Sequence, residues 1–195
     1  MTASTMVPAT PVAAVGEVPV GGAVVDAAPV AGTAGVDRTV DLATTLTDRG
    51  AQSLLPVPTA LASLFPAGGL RRGSALAVTG STSLLLSLLG AASAAGSWCA
   101  VVGMPELGVV AAAEAGVALE RFALVPDPGP DLADVVAALV DGMDLVVVGV
   151  PDGLAAIDVR RLVSRTRQRG AVLIGVGSWP GAELRLSVEE CRWRG

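Results

Sequence analysis

Four short stretches of this chain are unbroken runs of apolar residues: Ala75–Val78, Trp98–Gly103, Leu145–Val150 and Ala171–Val176. Each is too short for a helix, and helical spacing fills the intervals between them. A strand with one wet face alternates polar and apolar residues. A strand that is apolar throughout is covered on both faces, as in a parallel sheet held between helical layers. Helices are expected over Ser81–Ala95, closed by Gly96, over Val109–Ala118, over Leu132–Val140 behind an Asp131 cap, and over Ile157–Arg169, ended by Gly170. A further strand at Arg121–Val125 is stopped by the Pro126-Asp127-Pro128-Gly129-Pro130 run. Glu183–Val188 alternates and is expected as an antiparallel edge strand at the C-terminal end. The expected fold is an α/β three-layer domain with a mainly parallel sheet.

The beginning of the chain reads differently. Residues 1–36 are mostly Ala, Val, Pro, Gly and Thr with Glu17 and Asp26 as charges before Asp37, and no period of 2 or 3.6 persists. They are expected to form a disordered, low-complexity tail, with the folded domain over 37–195. A short helix is expected from Asp37 to Leu55, ended by Pro56 and Pro58. Ser74–Pro105 carries no charge, but its glycines and serines divide it into strand, helix and strand, so no membrane span is expected. No signal peptide is expected either, since no positive segment precedes the first apolar residues.

Composition removes several chemistries. The chain has no His and no Tyr, which excludes His-based triads and His metal ligands. Cys99 and Cys191 lie far apart without a Cys-x-x-Cys pair, so neither a zinc site nor a disulfide framework is expected. All 13 basic residues are Arg, and the net charge of -5 makes the chain a poor ligand for DNA by itself.

The stretch Gly73–Leu89 has the outline of a phosphate-binding loop, an apolar strand, a glycine and a leucine-rich helix. Such a loop needs two glycines spaced by four residues, then Lys and Ser/Thr, because backbone N–H groups cradle the phosphates and the Lys reaches the terminal ones. With Gly80 as the first glycine, the second falls on Leu85, the lysine on Leu86 and the hydroxyl on Ser87. With Gly80 as the second, the first falls on Ala75, the lysine on Ser81 and the hydroxyl on Thr82. Both registers lose the lysine. Gly80, Ser81, Thr82 and Ser83 are a vestigial loop in which the strand feeds directly into the helix, and the three hydroxyl residues are expected to cap it.

The order of these pieces resembles the RecA-like ATPase core. Gly68–Gly73 is similar to the entry of its phosphate loop, Trp98–Val102 to its next core strand, and Asp144–Gly149 to its Walker B strand. More narrowly, segments 68–73, 98–108, 142–148 and 179–186 are similar to the actinobacterial ImuA-type proteins, RecA-like accessory factors of the damage-inducible mutasome. The likeness covers about residues 50–195. It implies a RecA-like domain acting in SOS-induced translesion synthesis and mutagenesis, in the cytoplasm and recruited to the nucleoid. Its implied partners are ImuB, the inactive Y-family polymerase homologue, and through it the error-prone C-family polymerase, with DNA contacted indirectly.

The ATPase parts of the family pattern are absent. The Walker B aspartate position is Gly149, and Glu106 in Met104-Pro105-Glu106 is displaced from the catalytic glutamate place. The strand ending in Ser178 has no amide sensor, and the short links at 151–153 and 178–181 leave no DNA-wrapping loops. No ATP or Mg²⁺ binding, no metal and no catalytic residue are expected. The contrasting reading is a residual ATPase or recombinase-related enzyme acting on DNA. Candidate partner-binding residues are Arg160, Arg161, Arg165, Arg167 and Arg169 on one helix, and Trp179, Arg185 and Trp193 near the C-terminal end. Trp and Arg are enriched at binding hot spots. The same side chains also serve as a solvated helix face and as packing lids.

Overall fold

A computed structural model describes residues 23–27, 54–149 and 153–189. Its strands are β1 (Ala23–Ala27), β2 (Leu54–Leu55), β3 (Leu70–Arg71), β4 (Ala75–Thr79), β5 (Cys99–Val102), β6 (Phe122–Val125), β7 (Leu145–Val148), β8 (Val172–Val176) and β9 (Leu184–Val188). The α-helices are α1 (Thr82–Ala94), α2 (Val109–Glu114), α3 (Leu132–Gly142) and α4 (Ala156–Arg169). The main sheet runs β1-β9-β4-β8-β7-β5-β6, and β2 pairs with β3 in a small antiparallel sheet. From β9 to β6 every neighbouring pair is parallel. This is the α/β architecture expected from the apolar runs.

Period-2 alternation distributes each strand between two cores. Leu76, Val78, Cys99, Val101, Leu145, Val147, Val172 and Ile174 face one side with α1 and α2. Ala75, Ala77, Ala100, Val102, Val146, Val148 and Leu173 face the other with α3 and α4. The central strands are wholly buried because both faces are covered.

Several local expectations are corrected. β9 was expected as an antiparallel edge strand; it pairs antiparallel with β1 but parallel with β4, so β1 holds the edge. Ala23–Ala27 lies inside the stretch expected as a disordered tail, and forms a strand because β9 offers it a ladder of unpaired groups. The rest of 1–36 lies outside the described residues. The helix expected over 37–55 does too, except that Leu54–Leu55 is a strand. α2 ends at Glu114 rather than Ala118, with Gly116 in the left-handed region just beyond. Asp131 stands at the start of α3 but its side chain makes no cap bond; a 3₁₀ turn over Gly129–Asp131 leads in instead. Among the described residues no helix is long and apolar enough to cross a membrane.

Cys99 is fully buried in the first core. Burial pushes its thiol from 9.0 up to about 12, with Asp144 adding to the rise and Arg121 opposing it. In the unfolded chain the thiol ionises near 9 while the native thiol stays protonated, so the native state binds more protons above pH 9. Stability is therefore intact below pH 9 and falls by about 1.4 kcal/mol per pH unit toward 12. Lacking Lys and Tyr, the chain has few other groups that titrate there. Urea denaturation at pH 8 and pH 10.5 should show this loss, and Cys99→Ala should flatten it; an unchanged slope in that variant would count against a buried thiol as the cause.

Candidate functional site

The link between β4 and α1 is two residues, Gly80 and Ser81. Gly80 has φ 84°, and a Cβ there would stand 2.6 Å from the Val188 carbonyl oxygen, so the residue is fixed by the close approach of β9. Ser81 is the helix cap: its hydroxyl accepts from the Leu84 N–H at 3.1 Å. Thr82 and Ser83 are already helical, and the Ser83 carbonyl accepts from the Ser87 hydroxyl at 2.8 Å. Leu85 and Leu86, the glycine and lysine places of one register, are buried in the core, and Ala75, the first-glycine place of the other, is buried within β4. Neither register has a loop. The capping expected of Ser81 is present.

A shallow pocket of about 250 Å³ lies here, lined by Val78, Gly80, Ser81, Thr82, Leu85, Met104 and Val176. It sits beyond the carboxyl ends of β4 and β8, where α/β sheets commonly bind ligands. Its lining holds hydroxyls and apolar side chains but no titratable group. Position 149, where the resemblance would put a Walker B aspartate, is closed by packing. A Cβ on Gly149 would stand 2.1 Å from Met104 Cγ and 2.5 Å from the Gly103 carbonyl oxygen. The Gly149 N–H donates to the Val102 carbonyl at 2.8 Å, which holds the two strand exits together. Glu106 is exposed and is not part of the pocket lining. Among the described residues no three His, Cys, Asp or Glu side chains gather in a metal-binding group. Val78, Met104 and Val176 are the pocket residues that sequence reasoning passed over, because the valines read as strand core and the Gly103-Met104-Pro105 turn as a loop.

The arginine helix divides into two sets. Arg165 pairs with Asp141 through both carboxylate oxygens, its Nε donating at 2.7 Å, and Arg169 joins the same carboxylate at 3.0 Å. The hydrogen-bonded Arg165 guanidinium, with Arg169 beside it, holds the Asp141 carboxyl down at about 2. Arg167 pairs with Glu183 at 3.1 Å. These three tie α4 to its neighbours, whereas Arg160 and Arg161 are exposed beside Ile157, which is 67% exposed. Trp179 is a correction: it is wholly buried in the second core and offers no surface to a partner. Arg185 is exposed and donates to the Trp179 carbonyl at 3.4 Å. Trp193 lies outside the described residues. At the opposite end of the sheet Asp144 pairs with Arg72 at 2.7 Å and accepts from the Trp98 N–H at 2.9 Å, a structural tie at the strands' amino ends.

The fold and this site define a class: a three-layer α/β domain in which a two-residue link, with Ser81 as helix cap, joins a buried parallel strand to the following helix. The chain belongs to the family described as the MT3502 N-terminal domain, whose model matches residues 63–181. It is 41% identical over 138 residues to the uncharacterized protein Rv3395c of Mycobacterium tuberculosis, across 69% of this chain and 68% of that one. Among solved structures, SulA from Pseudomonas aeruginosa matches at a TM-score of 0.43 and 19% identity, over 53% of this chain and 98% of that one. That likeness is too slight to carry a reading of function.

Proposed function

We propose that this chain is a non-catalytic RecA-like adaptor in DNA-damage-induced translesion synthesis. In this reading the domain keeps protein-contact surfaces and has lost the nucleotide switch. Its partners are an ImuB-type Y-family polymerase homologue and, through it, the error-prone C-family polymerase, with DNA reached through those partners at the nucleoid. The observation that carries the non-catalytic half is the packing of Met104 and the Gly103 carbonyl into the space a Gly149 side chain would need. Charge-assisted hydrogen bonds contribute ~1.5–3 kcal/mol each. A site without the lysine, the aspartate and the loop amides lacks the interactions that hold Mg-nucleotide. The partner half rests on the resemblance of segments 68–73, 98–108, 142–148 and 179–186 to ImuA-type proteins. Arg160 and Arg161, outside the ion pairs of α4 among the described residues, are the arginines this reading assigns to partner contact.

Calorimetry of the purified chain with Mg-ATP, with hydrolysis followed in the same sample, tests the first half. No heat and no phosphate release are expected at millimolar nucleotide. Micromolar binding would overturn the loss of the switch and bring the residual-ATPase reading forward. Co-purification with the ImuB homologue tests the second half. Retention of the wild type, weakened by Arg160→Glu with Arg161→Glu, is the expected pattern.

A further inference from the structure

The far edge of the sheet has features that the adaptor reading does not use. Among the described residues β6 is the outermost strand there and pairs with β5 alone. All four of its residues, Phe122 to Val125, are apolar and only half-buried. The Val125 carbonyl accepts from the Gly103 N–H at 2.9 Å, so by strand alternation the amides and carbonyls of Phe122 and Leu124 point away from β5. The helix between β5 and β6 is a thin cover. α2 is Val-Val-Ala-Ala-Ala-Glu with Ala112 alone buried, and Val109 and Val110 are 44% and 71% exposed. Trp98, just before β5, and Leu119, in the turn entering β6, are 48% and 44% exposed. Four of the five large exposed hydrophobic residues described thus belong to elements around this one edge. Monomeric proteins seldom leave a long apolar edge beside an apolar patch without a use for it.

We infer that two copies of the chain pair through this edge, β6 antiparallel to β6 about Leu124. In that register the outward-facing Leu124 residues meet on the two-fold axis. Phe122 falls opposite Pro126, which lacks an N–H but still offers its carbonyl. Arg121 then falls opposite Asp127 of the other copy, and the symmetry repeats this opposite-charge pair. Both residues have capacity to spare. The Arg121 guanidinium is part-exposed and, among the described residues, its ion pair is the long one to Glu120 at 3.6 Å. One oxygen of exposed Asp127 accepts from the Gly129 N–H, leaving the other. Four residues of ladder fall short of the ~1,200 Å² that a specific interface buries. The axis is perpendicular to the sheet, so α2 comes to the same face as its counterpart, and the apolar flank adds to the contact. This inference does not depend on the adaptor reading.

Sedimentation equilibrium of the full chain across 1–100 µM (a range of order set by ordinary dimer affinities) tests it. A reversible shift from 19.3 kDa toward twice that mass is expected. Asp127→Arg should weaken the dimer roughly tenfold or more, since each new Arg would face Arg121 of the other copy. Adding Arg121→Asp to that variant should restore it. Circular dichroism of each variant separates lost pairing from lost folding, and Asp127→Arg alone carries the test if Arg121→Asp fails to fold. A monomer at every concentration overturns the inference. So do open-ended oligomers, or a dimer indifferent to Asp127→Arg.

Discussion

Trp179→Ala is expected to destabilise the native state by about 3–5 kcal/mol, the range for removing a large aromatic side chain from a packed core. Trp179 is the largest fully buried side chain described, and its ring lies over Gly175 of β8. A Cβ on Gly175 would stand 2.4 Å from Trp179 Cε3, so the strand carries a notch cut to the ring. The two positions should therefore couple. Gly175→Ala alone overpacks the wild-type core, at about 1–3 kcal/mol. The same change in a Trp179→Ala background fills part of the cavity and should be nearly neutral. Trp179→Phe should cost much less than Ala, because the indole Nε1 is buried without a partner among the described residues and its loss removes an unsatisfied donor. Urea denaturation of the four proteins of the cycle measures this. Additive losses would mean that ring and notch do not touch.

The fold was legible wherever burial on two faces left its mark on the sequence. β4, β5, β7 and β8 are apolar runs because helices cover both sides. β9 alternates, and alternation reports which residues are covered but not the direction of the neighbouring strand. Its parallel partner β4 and antiparallel partner β1 could not be told apart. β1 was illegible for a related reason. Ala-Val-Val-Asp-Ala has no sustained period, and its strand conformation comes from the edge it joins rather than from its own pattern.

The site was legible by counting and illegible where it depended on distant contacts. Glycine spacing gave the shortened loop, and Ser81 caps α1 as its residue type suggests. The arginines of α4 read as one patch, because Asp141 and Glu183, which take up three of them, are 24, 28 and 16 residues away in sequence. Trp179 beside Pro180 suited a hot spot as well as a packing lid. Gly175, four residues earlier, was the available sign of the lid, but a glycine in a strand identifies no particular neighbour.

Gly149→Asp puts back the carboxylate that a Walker B strand would carry, and it is expected to lose stability without gaining nucleotide affinity. Two obstacles act on the new side chain. Met104 Cγ, 2.1 Å from the Cβ position, belongs to a flexible side chain and can move aside. The Gly103 carbonyl oxygen at 2.5 Å is backbone, and Gly103 is itself tied to β6 through its N–H bond to Val125. Overpacking of this kind costs about 1–3 kcal/mol. A carboxylate at this half-buried position, facing Met104 and the Gly103 carbonyl, adds about 1–3 kcal/mol. Together the loss should be about 2–6 kcal/mol, a large share of a domain's stability. Gly149→Ala should show the steric part by itself, and Met104→Ala in the same chain should recover some of it but not all, since the carbonyl remains. Urea denaturation with Mg-ATP titration of each variant reads both quantities. If Gly149→Asp folded as stably as the wild type and bound Mg-ATP, the space beyond β7 would be open, and the main physical objection to a nucleotide site would fall.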